Sequence, residues 1–183
     1  MGFTFIQLMY TRLLSLYATN EARFSIDDRV RGIMQNTARQ SSNTTSTVGW
    51  AFAIHYETLR NETSGSTCHS IRALYERAVT SSTAHCPPIW TSYFRFELAQ
   101  LKAARDKRPS RKESKKRDWE NEAQARVKEV FYRGLRSLPW CKDFAMLAFT
   151  QTDDVFDEEE LWKVYRVMQE KEMRLYVELE DSS

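Results

Sequence analysis

The stretch that decides the fold is Trp90-Thr91-Ser92-Tyr93-Phe94-Arg95-Phe96-Glu97, read together with Arg72-Ala73-Leu74-Tyr75-Glu76-Arg77-Ala78 just before it. The first sets aromatic rings at i, i+3 and i+6 of a helix and ends on an acid. The second sets a basic residue, an aromatic, a second basic residue and a small residue on another helix. Related strings recur along the chain. Recurrence at this length marks helical hairpins in a row, because one hairpin cannot bury its own apolar stripe and needs a neighbour to cover it. Folds of that kind offer surfaces to partners rather than an enclosed reaction site.

Apolar spacing predicts further helices on either side of these strings. Phe5, Leu8, Met9, Leu13 and Leu16 predict a first helix over 3–19. Ser25 and Asp28 resemble a capping box ahead of a second, with Val30, Ile33 and Met34. A polar loop over 40–46 precedes a third helix, 48–60, with Trp50, Ala53, Tyr56 and Glu57. The fourth, 68–80, carries Ile71, Leu74, Tyr75 and Ala78 on one stripe.

Pro88 suits the first turn of a fifth helix, which reaches about residue 104, because its missing N–H costs nothing there. A sixth helix is expected over 118–136, with Val127, Val130, Phe131 and Leu135 inward. Pro139 is read as opening a seventh, through Phe149. Acids at 157–160 open an eighth, where they complement the positive end of the helix dipole. The expectation is therefore one all-α domain over 1–183: eight helices in four antiparallel pairs, with no strand.

Composition agrees. The 183 residues are 42% hydrophobic and 28% charged, which suits one globular domain with a core. Five Gly and four Pro are too few for a turn-rich β fold. Three cysteines, Cys68, Cys86 and Cys141, make no disulfide framework and read as reduced and intracellular. The apolar start lacks a basic leader region and a cleavage site, and no apolar run is long enough to span a membrane.

The strings resemble the half-a-TPR (HAT) repeat, in which helix A reads Trp-x-x-Tyr-x-x-Phe-Glu and helix B reads Arg-x-x-(Phe/Tyr)-x-Arg-Ala. Trp90, Tyr93, Phe96 and Glu97 match helix A in full; Trp50, Tyr56 and Glu57 match it with Ala53 in place of one ring. Arg72, Tyr75, Arg77 and Ala78 match helix B, as do Lys128, Phe131, Arg133 and Gly134 with Lys in the first basic place. Trp140 begins a further helix A in which Asp143 replaces an aromatic. The resemblance implies a right-handed α-α superhelix, a TPR-like solenoid, in which these residues hold the seams between helices, with Glu97 and Arg77 near a seam.

Residues 130–142 with Met168-Gln169-Glu170-Lys171-Glu172 and the Leu/Glu-rich end are similar to the carboxyl end of the nuclear RNAi-defective ("necessary for RNA interference") family. That resemblance implies a carboxyl-terminal fragment, or a shortened gene model, of a long nuclear protein linked to RNA processing and surveillance, mRNA splicing, and RNA interference with gene silencing. It implies a non-enzymatic scaffold without cofactors, binding protein partners of nuclear complexes. Self-association of some HAT arrays adds a homodimer through terminal hairpins to the expectations.

The segment 102–117 holds nine Lys/Arg against Asp106 and Glu113, a local charge of +7 in a chain of net charge +2. Lys107, Arg108, Arg111, Lys112, Lys115, Lys116 and Arg117 lie at its centre. Three readings apply: a nuclear import signal, salt-dependent contact with an RNA backbone, or a solvated linker between the fifth and sixth helices. Direct RNA binding through this segment is the alternative to the scaffold.

Catalytic patterns are missing from the sequence. It has no glycine-rich phosphate loop, Gly-x-Ser-x-Gly elbow or paired His ligands. Cys68-His69 and His85-Cys86 are metal-ligand types, but they bracket a helix. At ~1.5 Å per residue their separation exceeds about 20 Å, too far to share one ion. Acids at 153–160 lack the glycine and spacing of a calcium loop.

Overall fold

The computed structural model describes residues 12, 16, 47–64, 68–81, 83–106, 113–151 and 155–173. The fold is all-α: six helices and no strand among the described residues. They are α1 (Thr47–Ser64), α2 (His69–Thr80), α3 (Pro87–Asp106), α4 (Glu113–Ser137), α5 (Lys142–Thr150) and α6 (Glu158–Glu170). The expected first two helices, the capping box at Ser25 and the polar loop over 40–46 lie outside the described residues. Arg12 and Leu16 are the exceptions and are helical; Leu16, expected on an apolar stripe, is exposed. The chain divides into two compact units, 1–89 and 90–183.

In the first unit α1 packs on α2. Trp50, Ala53, Ile54 and Glu57 recur at i, i+3, i+4 and i+7 of α1 and are buried; Ile71, Leu74, Tyr75 and Ala78 do the same on α2. This is the helical period turning one face of each helix inward. No glycine ends α2. The Ala78 carbonyl instead accepts from the Ser81 and Thr83 hydroxyls, each at 2.7 Å, which satisfies a carbonyl the helix end leaves over.

The second unit is built on α3 to α6. The α3 stripe is Trp90, Tyr93, Phe94, Glu97, Leu98 and Leu101, all buried. Phe131 of α4 is fully buried at the centre of a ring cluster. Its ring lies 5.7 Å from Phe94, 5.6 Å from Phe144 in a stacked arrangement, and 5.0 Å from Phe156. Such pairs add about 0.5–1.5 kcal/mol each beyond their buried area.

Helix bounds differ from expectation chiefly at the basic segment. α3 runs on to Asp106 and α4 begins at Glu113 rather than 118, so only residues 107–112 separate them. Pro139 does not open a helix. Gly134 O accepts from Leu138 N at 2.8 Å as α4 ends, Leu138 O accepts from Cys141 N, and α5 starts at Lys142.

Candidate partner-binding surface

In the first unit the Arg77 guanidinium lies 5.5 Å from the centre of the Trp50 ring. In the second, the Arg133 guanidinium lies 5.8 Å from the Trp90 ring. Both are cation–π contacts between an arginine of the second helix of a pair and a tryptophan of the first. Trp50 and Trp90 are buried, so each arginine lies over a ring held in the core. Arg133 also pairs with Glu129 at 3.6 Å, one turn back on α4.

The acids that end each helix A string, Glu57 and Glu97, are buried, Glu97 to 1% exposure. Tyr56, Tyr75, Tyr93 and Phe131 are buried as well, and Arg72 is half-buried. Two expectations need correction. Phe96 is only half-buried, because i+6 falls about 120° away from Trp90 around the helix while Phe94 at i+4 falls on the stripe. Trp140 is 62% exposed, because the Leu138–Cys141 turn holds it ahead of α5 instead of on its buried face.

Lys128 of α4 reaches another helix. Its Nζ donates to Glu160 Oε2 at 2.5 Å, tying α4 to α6. Glu160 has a second task. Asp157 caps α6 by accepting from Glu160 N at 2.8 Å, and Glu160 Oε2 accepts from Asp157 N at 3.1 Å, a full capping box. In the sequence these residues read only as acids at a helix start. The Asp-x-x-Glu spacing would have shown the box, whereas the link to Lys128, 32 residues away, has no local signal. The same acids, after burial, hold the Tyr132 phenol above its ordinary pKa.

The basic segment is not one free strand of charge. Arg105 donates to Glu120 at 3.0 Å across the α3–α4 connection, whereas Lys102 is exposed. Lys107, Arg108, Arg111 and Lys112 lie outside the described residues; Lys115, Lys116 and Arg117 fall on the first turns of α4. Trp119 and Trp162 are both more than half exposed, the latter edge-on to Tyr165. Among the described residues no His/Cys/Asp/Glu group could hold a metal ion, and no helix is long and apolar enough to cross a membrane. Cys86 instead contacts the Thr47 hydroxyl at 3.5 Å.

The chain is similar to two curated proteins of one name. It is 24% identical over 179 residues to nuclear exosome regulator NRDE2 of Dictyostelium discoideum, across 92% of this chain and 12% of that protein. It is 32% identical over 150 residues to nuclear exosome regulator NRDE2 of Mus musculus, across 72% of this chain and 11% of that protein. The chain thus spans about a tenth of the length of the curated relatives it matches. No family model and no solved structure matches it.

Proposed function

We propose that this chain is a HAT-type helical-hairpin scaffold of a nuclear exosome regulator, holding protein partners in RNA surveillance without catalysis of its own. The observation that carries the reading is similarity across most of the chain to two proteins named nuclear exosome regulators. The arginine-on-tryptophan contact found in both units supports the repeat. In this reading the hairpins stack as a right-handed superhelix within one domain, and the protein works in the nucleus. The roles in splicing, RNA interference and gene silencing belong to the same proposal, as does self-association through terminal hairpins.

The test is an affinity pulldown of the tagged chain from nuclear extract, read by mass spectrometry. Enrichment of RNA-decay and RNA-processing proteins that survives nuclease treatment is expected. A partner set that vanishes with nuclease would contradict the scaffold and favour direct RNA contact. An empty pulldown would overturn both.

A further inference from the structure

The second unit carries a cleft of about 500 Å³ between the end of α4 and the carboxyl-terminal half of α6. Its floor is aliphatic: Leu135 and Pro139 on one side, Val164 and Val167 on the other. Its rim is basic: Arg136, Lys163 and Lys171, all exposed. No acid lines it. Among the described residues neither the Lys163 nor the Lys171 ammonium has a carboxylate partner, and Arg136 Nε donates only to the Tyr132 carbonyl. Asp157 and Glu160, at the far end of α6, are engaged in its capping box and with Lys128.

We infer that this cleft is a docking groove for an acidic amphipathic helix of a protein partner, an inference that rests on the scaffold reading above. Charge complementarity selects the occupant. An aliphatic floor takes Leu, Ile or Met anchors at i and i+4, and three cations on the rim take Asp or Glu flanking those anchors. Nucleic acid fits less well. Bases stack on aromatic faces, and the one ring lining the cleft, Tyr132, is already packed edge-on against Phe131 and Phe156.

The test uses a fluorescein-labelled designed helical peptide with Leu at i, i+4 and i+7 and Glu on its flanks. Its isomer carries Lys in place of every Glu. Fluorescence anisotropy is read against the full chain at low salt. The Glu peptide is expected to bind about tenfold more tightly than its isomer, with the preference reversed by Lys163→Glu with Lys171→Glu. Both substituted residues are exposed, and an unchanged circular dichroism spectrum checks the fold. Equal binding of the isomers, or Glu-peptide binding indifferent to the charge reversal, would overturn the inference.

Two further arms guard the occupant. Displacement of the peptide by oligouridylate at the same residues would transfer the groove to RNA. The chain's own end, residues 174–183, also mixes Leu175, Tyr176, Val177 and Leu179 with Glu178, Glu180 and Asp181. Tighter peptide binding in the Leu175→Ser, Leu179→Ser variant would assign the groove to that segment and overturn a partner's helix. Repeating the nuclear pulldown with the charge-reversed variant separates the two readings. An unchanged partner set removes the groove and leaves the scaffold standing, whereas no partners even for the unaltered chain removes the scaffold.

Discussion

Arg133 covers the ring of Trp90 at 5.8 Å, as Arg77 covers Trp50 in the other unit. The two pairs are separated by different lengths of chain: 43 positions from 90 to 133 against 27 from 50 to 77. The difference, 16, is the length of the basic segment 102–117. The added residues lengthen the second helix of the hairpin more than the loop, since α4 has 25 residues where α2 has 12. The arginine-to-ring distance stays close across the two spans, 5.8 Å and 5.5 Å.

Gly134 occupies the small-residue place that Ala78 fills in the first unit. A Cβ there would lie 2.4 Å from Phe144 Cζ and 3.1 Å from Trp90 Cε3. Alanine would gain about 1 kcal/mol in helix propensity, but overpacking costs about 1–3 kcal/mol. Phe144 is 1% exposed and stacked on Phe131, so it has little room to yield. Gly134→Ala is expected to lower Tm, and adding Phe144→Leu to recover part of the loss. A higher Tm for Gly134→Ala alone would refute this packing.

Asp157→Ala removes the acceptor that caps α6 and is expected to cost about 1 kcal/mol in urea unfolding. Glu160→Gln keeps the shape but removes the carboxylate shared by the cap and Lys128. Because both side chains of the Lys128–Glu160 pair remain partly solvated, its loss adds only about 1 kcal/mol. The two changes share a network, so the double variant is expected to lose less than the sum. Full additivity would mean that cap and ion pair act separately.

Tyr132 gives a pH dependence at the alkaline end. Burial first, then the charges of Glu160 and Asp157, raise its pKa above the ordinary 10.0. The unfolded chain therefore ionises first as pH rises. The contribution of Tyr132 is complete below pH 10.0 and is lost as pH climbs through the folded-state value. Comparing urea midpoints at neutral and alkaline pH, Tyr132→Phe is expected to lose less stability than the unaltered chain. Equal losses would remove Tyr132 from the alkaline transition.

Glu172 ends α6 with φ 54, a left-handed conformation. Glu172 N donates to Gln169 O at 3.0 Å and Met173 N to Met168 O at 2.9 Å, the paired bonds of a Schellman stop. A non-glycine residue pays about 1 kcal/mol to sit there. Glu172→Gly is expected to raise Tm slightly, whereas a lower Tm would mean that the Glu172 side chain contributes more than its backbone costs.

Helix existence was legible because the apolar residues of α1 to α4 and α6 repeat at the helical period. Glu57 and Glu97 were legible as structural acids because they close a repeated string rather than stand in a polar run. Trp140 was misread because Pro139 fits both a first helical turn and the turn before one. The bond from Cys141 N to Leu138 O, which settles it, is not a sequence feature. Phe144 and Phe156 were missed as core rings because each comes from a short element with few repeats to reveal a period. The Lys128–Glu160 tie and the basic-rimmed cleft join helices far apart in sequence, and only folding brings them together.

The seam contact is of one kind in both units, Arg77 on Trp50 and Arg133 on Trp90. Double-mutant cycles test it most directly, pairing Arg77→Met with Trp50→Leu and Arg133→Met with Trp90→Leu, read by urea unfolding. Coupling of about 0.5–1 kcal/mol is expected in both cycles, at cation–π strength for partly exposed cations. Coupling in one cycle and none in the other, or none in either, would contradict the repeat.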